Sequence, residues 1–254
     1  MTTGPVLFAR YAYPPNVLGY CGPDRAGELL DRVAHLADDP DLRALDRGFD
    51  GAWPYLELIA QAVGVDDPLD PLVVEAYWIG NHLLDGVDPE QLHAAMEERF
   101  HGRVNRTQWA TMADSIPFDS APTHAFHVFA IYPWVGLLRS GWVAEPLQVL
   151  DRCRIRWGRV RRLGDGRAIV RSRPLAWDGQ ELTLAPSTDE EAVYAVDGLS
   201  LAPGLAVGDW VSLHWEWVCD RLTPTQLKAL RDRTRHQLAT VNASHHSAPA
   251  AVLS

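Results

Sequence analysis

Residues 207–217 read VGDWVSLHWEW, and this stretch predicts one strand of a small β-barrel. Gly208 and Asp209 predict a tight turn, after which the side chains alternate between two faces with a period of two. The face that we expect a barrel to bury comprises Val211, Leu213, Trp215 and Trp217. The opposite face comprises Trp210, Ser212, His214 and Glu216. The pattern therefore places a histidine, His214, in the middle of a barrel strand.

Segments with the same alternation precede this strand. They read CRIRWGRV (153–160), RAIVRSRPLAW (167–177), QELTLAP (180–186) and EEAVYAV (190–196). The turn signals LGDG, WDG and APGLAVGD separate them. Five short strands in about 70 residues predict a barrel of the OB or SH3 kind.

A helix is predicted to follow the barrel strands. Thr223 fits its N-cap, Pro224 its first turn, and Gln226 completes a capping box. An apolar stripe that can lie against the barrel comprises Leu227, Leu230, Leu238 and Val241. We therefore assign residues 146–242 to a barrel with a C-terminal helix, and residues 243–254 to a disordered tail.

Before residue 146 the apolar residues recur with helical spacing instead. The helical segments are 27–37, 41–49, 53–63, 71–84 and 88–100. Residues 1–145 are therefore predicted to form an all-helical domain of about five to seven helices. The whole chain is predicted to be an α+β protein, in which this helical domain precedes a small OB-like β-barrel with a C-terminal helix.

The composition limits the class of protein. Of the 254 residues, 47% are hydrophobic and 22% are charged, which suits one large domain or two modest ones. No apolar run reaches the roughly 18 residues of a membrane span, and the N-terminus lacks the basic start of a signal peptide. The cysteines Cys21, Cys153 and Cys219 are too scattered for a disulfide framework. These features predict a cytoplasmic protein without a membrane partner.

Charge is unevenly distributed along the chain. The formal net charge is −10, and the acidic excess lies in residues 1–145, which argues against nucleic acid as the main partner. Arginines cluster at Arg152, Arg154, Arg156, Arg159, Arg161 and Arg162. This cluster is either a solvated strand face or a docking surface for a polyanion or an acidic protein. The sequence has no Gly-rich phosphate loop, GxSxG elbow or CxxC pair, which disfavours nucleotide chemistry and serine hydrolysis.

Two motifs stand out in the C-terminal part. In the first, Cys153 is followed after four residues by Gly158 and then by Val160. The second is VGDWVSLHW in the strand quoted above. Over residues 151–242 the chain resembles the HypC/HupF family of NiFe-hydrogenase maturation chaperones, whose fold is a small OB-like barrel with a C-terminal helix. The segment 164–206 is longer than in that family, which implies extra loops.

The resemblance implies a role for His214. In that family a leading cysteine and a strand histidine handle an iron centre, so the resemblance implies Cys153 and His214 as iron ligands. Thiolate and imidazole are both suitable ligands for iron. The implied partner is the hydrogenase large-subunit precursor or another maturation protein. The expected partner-binding residues are Arg152, Arg154, Arg156 and Trp215.

The N-terminal part carries a second set of candidate metal ligands. His124 and His127 are spaced i, i+3, which on a helix places them on one face, where they could share a metal ion. Further ligands would be drawn from Cys21, Glu57, Glu75 or His82. The alternative is that the two histidines pack in a satisfied core and that Cys21 is a buried free thiol.

Across its length the chain is also similar to an uncharacterised bacterial family associated with hydrogenase operons. The stretches that carry this likeness are FARYAYPPNVLGYCGPD (8–24), GAWPYLELIA (51–60), VVEAYWIGN (73–81) and HAFHVFAIYPWVGLLR (124–139). This likeness implies no activity.

Three functions remain open from the sequence, and the third of them is a generic scaffold whose barrel has lost all iron chemistry. The first is a non-enzymatic accessory protein or chaperone for hydrogenase maturation, which would dock a precursor or another maturation factor through the barrel. The second is a metal-dependent enzyme with a site at His124 and His127 that serves hydrogenase cofactor assembly. The motifs favour the first, with iron as the candidate cofactor, and they identify no catalytic residue.

Overall fold

The computed structural model describes residues 2–100, 113 and 120–244, and helices make up its N-terminal part. These are α1 (Gly4–Val17), α2 (Ala26–Ala34), α3 (Pro40–Arg47), α4 (Trp53–Val63), α5 (Pro71–Trp78), α6 (Pro89–Phe100), α7 (His124–Phe126), α8 (Trp134–Arg139) and α9 (Ala144–Cys153). A 3₁₀ turn (His82–Gly86) lies between α5 and α6, and a π-helical turn (His127–Ile131) continues α7. The described part of residues 1–145 contains no strand, in agreement with the predicted helical region.

Strands and a final helix make up the C-terminal part. The strands are β1 (Arg156–Gly164), β2 (Arg167–Ser172), β3 (Leu175–Trp177), β4 (Leu182–Leu184), β5 (Thr188–Val193), β6 (Ala195–Val196), β7 (Leu199–Ser200), β8 (Trp210–His214) and β9 (Trp217–Arg221), and α10 (Pro224–Ala243) follows them. Five strands close a barrel in the order β1-β2-β5-β9-β8. Neighbouring strands are antiparallel, except that β5 and β9 run parallel. This is the strand order of an OB-fold, so the predicted α+β architecture is confirmed.

The stretch 207–217 contributes two strands rather than one. Strand β8 ends at His214, and Trp215 and Glu216 make a two-residue turn into β9. The antiparallel register then pairs Trp217 with His214, and paired residues share one face of a sheet. Trp215 and Trp217 are buried as predicted, but not on the face of Val211 and Leu213 inside the barrel, because the turn interrupts the alternation.

The barrel interior is small and apolar. Val211 and Leu213 do lie in it, as predicted. The buried set of the interior comprises Val160, Ala168, Val170, Ala192, Ala202, Val211, Leu213 and Val218. The segment 180–186 does not join the barrel, because β4 pairs with β3 in a separate two-stranded sheet. Strands β6 and β7 form another small sheet. Both small sheets lie within residues 164–206.

Helix α9 passes through the boundary predicted between residues 145 and 146. It ends at Cys153, and β1 begins at Arg156. Cys153 therefore lies at a helix end and not in the strand that the alternation predicts. A buried apolar cluster continues from the helical part onto the outside of the barrel, and its members include Tyr11, Trp78, Trp157 and Trp217.

Helix α1 covers the outer face of β8, which explains why both faces of that strand are buried. The Tyr11 hydroxyl is hydrogen-bonded to Ser212 Oγ at 2.9 Å. The Arg10 guanidinium forms an ion pair with Asp220 on β9, also at 2.9 Å. The apolar pattern does not predict this helix, because two prolines, which ordinarily break helices, lie within it.

Helix α10 begins as predicted, and it packs not only against β1 of the barrel but also against β4, α7 and the π-helical turn. Thr223 Oγ1 accepts a hydrogen bond from the Gln226 N–H at 3.2 Å, and the Gln226 side chain accepts one from the Thr223 N–H at 3.0 Å. The predicted stripe is buried, and it comprises Leu227, Leu230, Leu238 and Val241. The tail predicted to be disordered, residues 243–254, lies outside the described residues from position 245 onward.

The barrel geometry requires glycine at two positions of the motifs. A Cβ at Gly158 would collide with the Val170 side chain on the neighbouring strand. Gly208 has a φ of 97°, which L side chains rarely adopt, and its N–H donates to the Val160 carbonyl at 2.9 Å. Packing and turn geometry therefore account for both glycines.

Asp46 on α3 is a fully buried carboxyl group, and neither of its oxygens has a hydrogen-bond partner among the described residues. Burial raises its pKa from 3.8 to about 9. As the pH rises from about 4 to about 9, the unfolded chain loses this proton and the folded chain keeps it. Asp46 therefore lowers the free energy of unfolding across that window.

We expect Asp46→Asn to raise the free energy of unfolding at pH 8 by roughly 2 kcal/mol, and to have little effect at pH 4. The amide is close in shape to the protonated carboxyl and cannot ionise. Urea denaturation at both pH values measures the change. Asp41→Asn, on the exposed side of the same helix, is the control and should show no such pH-dependent gain.

Among the described residues, no helix is both long enough and apolar enough to cross a membrane.

Candidate metal centre

Three side chains that can bind a metal ion meet between the helical part and the barrel. They are His124 at the start of α7, Cys153 at the end of α9 and His214 at the end of β8. One ring nitrogen of each histidine and the Cys153 Sγ lie within 4.8 Å of one another. All three residues are buried. Elements far apart in the sequence thus bring two imidazoles and a thiol to one point.

His214 is held with one ring nitrogen free. Its Nδ1–H donates to the Tyr11 carbonyl of α1 at 2.6 Å, and because a carbonyl only accepts, Nδ1 carries the proton. The Nε2 atom then keeps its lone pair, and it is buried without a hydrogen-bond partner among the residues that the structure describes. Metal-binding histidines in proteins are commonly held in this way, with the second nitrogen donating to a backbone carbonyl.

His124 is held by both of its nitrogens. Its Nε2–H donates to the Cys153 carbonyl at 2.8 Å, and its Nδ1 lies 3.4 Å from the Tyr77 hydroxyl. The Thr123 side chain caps the start of α7 by accepting from the Phe126 N–H, which fixes the beginning of this short helix. If the ring proton moves to Nδ1, that atom can donate to the Tyr77 oxygen, and Nε2 becomes free to bind a metal ion.

Burial keeps all three groups uncharged near pH 7. It lowers the pKa of His124 to about 4 and the pKa of His214 well below its usual value. It raises the pKa of the Cys153 thiol well above its usual value. A divalent ion would reverse the last effect, because a bound cation favours the thiolate.

The spacing of the donor atoms is compatible with one ion after a small contraction. Cys153 Sγ and His124 Nε2 are 3.9 Å apart. Tetrahedral sites with bonds of about 2.0–2.3 Å place donor atoms roughly 3.5 Å from one another. The three side chains would therefore move inward by about 1 Å or less to bind an ion. The donor set and its spacing fit a transition metal.

A cavity of about 180 Å³ adjoins the three residues. Cys21, another predicted ligand, lies on its wall but is not part of the group of three. Burial raises the pKa of the Cys21 thiol to about 12, so this thiol is also uncharged. The structure therefore places both predicted cysteine ligands around one cavity.

His127 lines the same cavity but has a different partner. Its Nδ1 is hydrogen-bonded to the Tyr55 hydroxyl at 3.0 Å, and its ring packs against Tyr132, with centroids 4.4 Å apart. It lies in the π-helical turn, an element that occurs frequently at functional sites. The structure groups His124 with Cys153 and His214 rather than with His127.

The remaining candidate ligands from the sequence do not line this cavity; they are Glu57, Glu75 and His82. Glu57 accepts a hydrogen bond from the Trp53 indole at 2.7 Å. Glu75 accepts one from Gln226 on α10 at 2.6 Å. Glu75 and His82 line a separate polar groove beside α10.

The arginine cluster is only partly exposed: Arg159, Arg161 and Arg162 are exposed on β1, as a solvated strand face predicts, but two of the predicted docking residues are buried. Arg154 and Arg156 are each 1% exposed, which contradicts the prediction that they form a docking surface. Arg154 forms an ion pair with Asp151 at 2.9 Å, and Arg156 forms one with Glu190 at 3.2 Å. The reason is that the chain turns from α9 into β1 here, and the guanidinium groups fold inward. Arg152 remains partly exposed and pairs with Glu190 at 2.9 Å.

Trp215, the other predicted docking residue, is buried in the turn beside the site. Its backbone N–H donates to the Arg152 carbonyl at 2.7 Å, and its ring stacks on the exposed Tyr20 with centroids 4.4 Å apart. Its φ of 50° lies in the left-handed region, which is an outlier for a bulky residue. Such strain persists where the surrounding contacts determine the backbone, and it is frequent at functional sites.

Residues 1–248 match a protein family that is described as a family of unknown function (DUF6390). The chain belongs to this family. No curated protein and no solved structure matches the chain. His124, Cys153 and His214 all lie within the stretch that matches DUF6390.

Two residues that hold the site in this DUF6390 chain are not identified as such by any sequence signal. Tyr11 acts through its backbone carbonyl, which every residue has. Tyr77 lies in one of the stretches quoted above, where it is one of several aromatic residues. The meeting of His124 with the two motif residues also depends on the packing of α7 and α9, which no local pattern encodes.

Proposed function

We propose that this protein is an accessory factor of NiFe-hydrogenase maturation that binds a transition-metal ion through His124, Cys153 and His214. In this role it holds the ion and docks the hydrogenase large-subunit precursor or another maturation protein. The single observation that carries the metal part is the convergence of these three buried donors from α7, α9 and β8.

The hydrogenase part is supported by the two motifs of the C-terminal region. The resemblance implies iron handling by a cysteine and a strand histidine, which are Cys153 and His214 here. These two residues are neighbours in the fold even though Cys153 lies at a helix end and not in a strand. The OB-like strand order agrees with the fold that the resemblance implies.

Iron is the metal that we propose. One thiolate with two imidazoles suits iron, zinc and copper, so the donor set does not select among them. The selection of iron rests on the resemblance. The buried His214 Nε2, which has no hydrogen-bond partner in the described part of the chain, is already available to the ion.

A metal-dependent enzyme for cofactor assembly is the second candidate function. Catalytic metal sites keep a coordination position open for the substrate, whereas structural sites are closed by four protein ligands. Three ligands beside a cavity favour this candidate. Its site would be His124 with Cys153 and His214 rather than His124 with His127.

Deletion of the gene is expected to lower NiFe-hydrogenase activity, and the wild-type gene should restore it. His214→Ala should not restore it, because the variant lacks the one donor nitrogen that is already free. The control is His35→Ala, since His35 is an exposed histidine at the end of α2, and this variant should restore activity fully.

Protein purified without chelators should contain about one equivalent of iron, as measured by inductively coupled plasma mass spectrometry. Unchanged hydrogenase activity in the deletion strain would contradict the maturation role. Metal-free protein that also takes up no iron on anaerobic reconstitution would contradict the metal role.

A further inference from the structure

The cavity beside the three candidate ligands has the size of a small-molecule site. Its volume is about 180 Å³, and an engineered protein cavity of about 150 Å³ is sufficient to bind benzene. The aromatic rings on its wall include Phe49, Tyr77, Trp78, Tyr132, Trp134 and Trp215. The cavity therefore suits a molecule about the size of one aromatic ring.

The charge of the lining favours a neutral occupant. Apart from the histidines, Glu145 is the one acidic or basic side chain among the described residues of the wall, and it is exposed. No lysine or arginine of the described wall is present to balance an anion. Transfer of an unpaired charge into such a lining is costly, so an ionic ligand is disfavoured.

Three polar atoms of the lining residues lack partners. They are His214 Nε2, Trp78 Nε1 and Trp215 Nε1, all buried and without a hydrogen bond among the described residues. Buried polar atoms without partners are rare in folded proteins. Because an indole N–H can only donate, the two tryptophans require an acceptor atom.

We infer that this cavity binds a small uncharged molecule that has an apolar body about the size of one aromatic ring and a hydrogen-bond acceptor atom. The apolar body packs on the aromatic wall, and the acceptor atom accepts a hydrogen bond from one of the two indole N–H groups. In the metal-bound protein the same acceptor atom is suited to the coordination position that the three side chains leave open. This last part rests on the proposed metal function, whereas binding in the cavity does not.

Pyridine is the probe for this inference, because it is neutral near pH 8, has one acceptor nitrogen and is the size of benzene. At about 100 times its dissociation constant, pyridine should raise the unfolding midpoint of the metal-free protein by roughly 5–10 °C. Benzene, which has no acceptor atom, should bind more weakly. Isothermal titration with both compounds measures the difference directly.

Gly51→Leu should abolish pyridine binding by filling the cavity. Gly51 lies on the wall at a φ that other residues can adopt, and a Cβ there would make an ordinary contact with His127 Nε2 at 3.7 Å. Gly51→Ala is the smaller change and should weaken binding less. Gly27→Leu is the matched control, because a Cβ at Gly27 meets open space on α2, and this variant should bind pyridine normally.

The outcomes separate this inference from the metal function. Pyridine binding that is lost in Gly51→Leu and kept in Gly27→Leu supports the inference. It does so even if the protein takes up no Co²⁺, the ion that we use to probe the metal site. A wild-type protein that takes up Co²⁺ but binds no pyridine overturns the inference and leaves the metal function standing. Equal pyridine binding by folded Gly51→Leu and the wild type also overturns it, because the ligand would then lie elsewhere.

Discussion

Cys153→Ser is expected to lower the affinity for a transition-metal ion by more than 100-fold. Loss of a residue that only orients a metal ligand already costs about 10–100-fold, and Cys153 is placed to bind the ion itself. Serine is close in size to cysteine, but its hydroxyl stays protonated near neutral pH and is a poor ligand for soft metals. Titration of Co²⁺ against a chromophoric chelator measures the affinity, and the thiolate-to-cobalt absorption band should disappear.

Cys219→Ser is the matched control for this prediction. Cys219 is a second fully buried thiol, on β9, and its sulfur lies 3.8 Å from the Trp217 carbonyl rather than among the three donors. Its replacement should leave both the affinity and the absorption band unchanged. A Cys153→Ser protein that binds Co²⁺ as tightly as the wild type would remove Cys153 from the centre.

Arg156→Met is expected to lower the free energy of unfolding by about 3–5 kcal/mol, the usual cost of breaking a buried ion pair by removing one partner. The guanidinium is 1% exposed and pairs with Glu190. It also donates to the carbonyls of Asp151 and Arg152 at 3.1 Å and to the Trp215 carbonyl at 2.6 Å. Removing the guanidinium takes one hydrogen-bond donor away from the Glu190 carboxylate and from each of the three carbonyls. Urea denaturation measures the loss.

Arg159→Met provides the comparison on the same strand. Arg159 is exposed and its Nε donates to the Gly208 carbonyl at 3.1 Å. Its replacement should change the free energy of unfolding by no more than about 0.5 kcal/mol. Similar losses in the two variants would mean that the buried network around Arg156 does not contribute as its contacts indicate.

The elements that local patterns encode could be predicted from the sequence. The alternation around Val211 and Leu213 indicates a barrel strand, because a period of two directly reflects a buried face. Thr223 and Gln226 mark the start of α10, because a capping box acts within one turn of helix. The order of the barrel strands agrees with the expected OB-like barrel, although β3, β4, β6 and β7 lie in the connections between its strands.

What the sequence could not predict depends on contacts between distant elements. Helix α1 includes Pro14 and Pro15 near its end, so propensity argues against it, and tertiary packing overrides that preference. Its Tyr11 carbonyl nevertheless decides which nitrogen of His214 is free. The i, i+3 spacing pointed to a pair of His124 with His127, but the packing of α7 against α9 gives His124 the Cys153 backbone as its partner.

The origin of the three donors has a mechanical consequence. An ion that binds the folded chain but not the unfolded chain stabilises the fold by mass action. Here the ion would join α7, α9 and β8, and so it would act as a cross-link between the helical part and the barrel. Loading and release of metal would then change how rigidly the two parts are held together, and a docked partner could sense the difference through that rigidity.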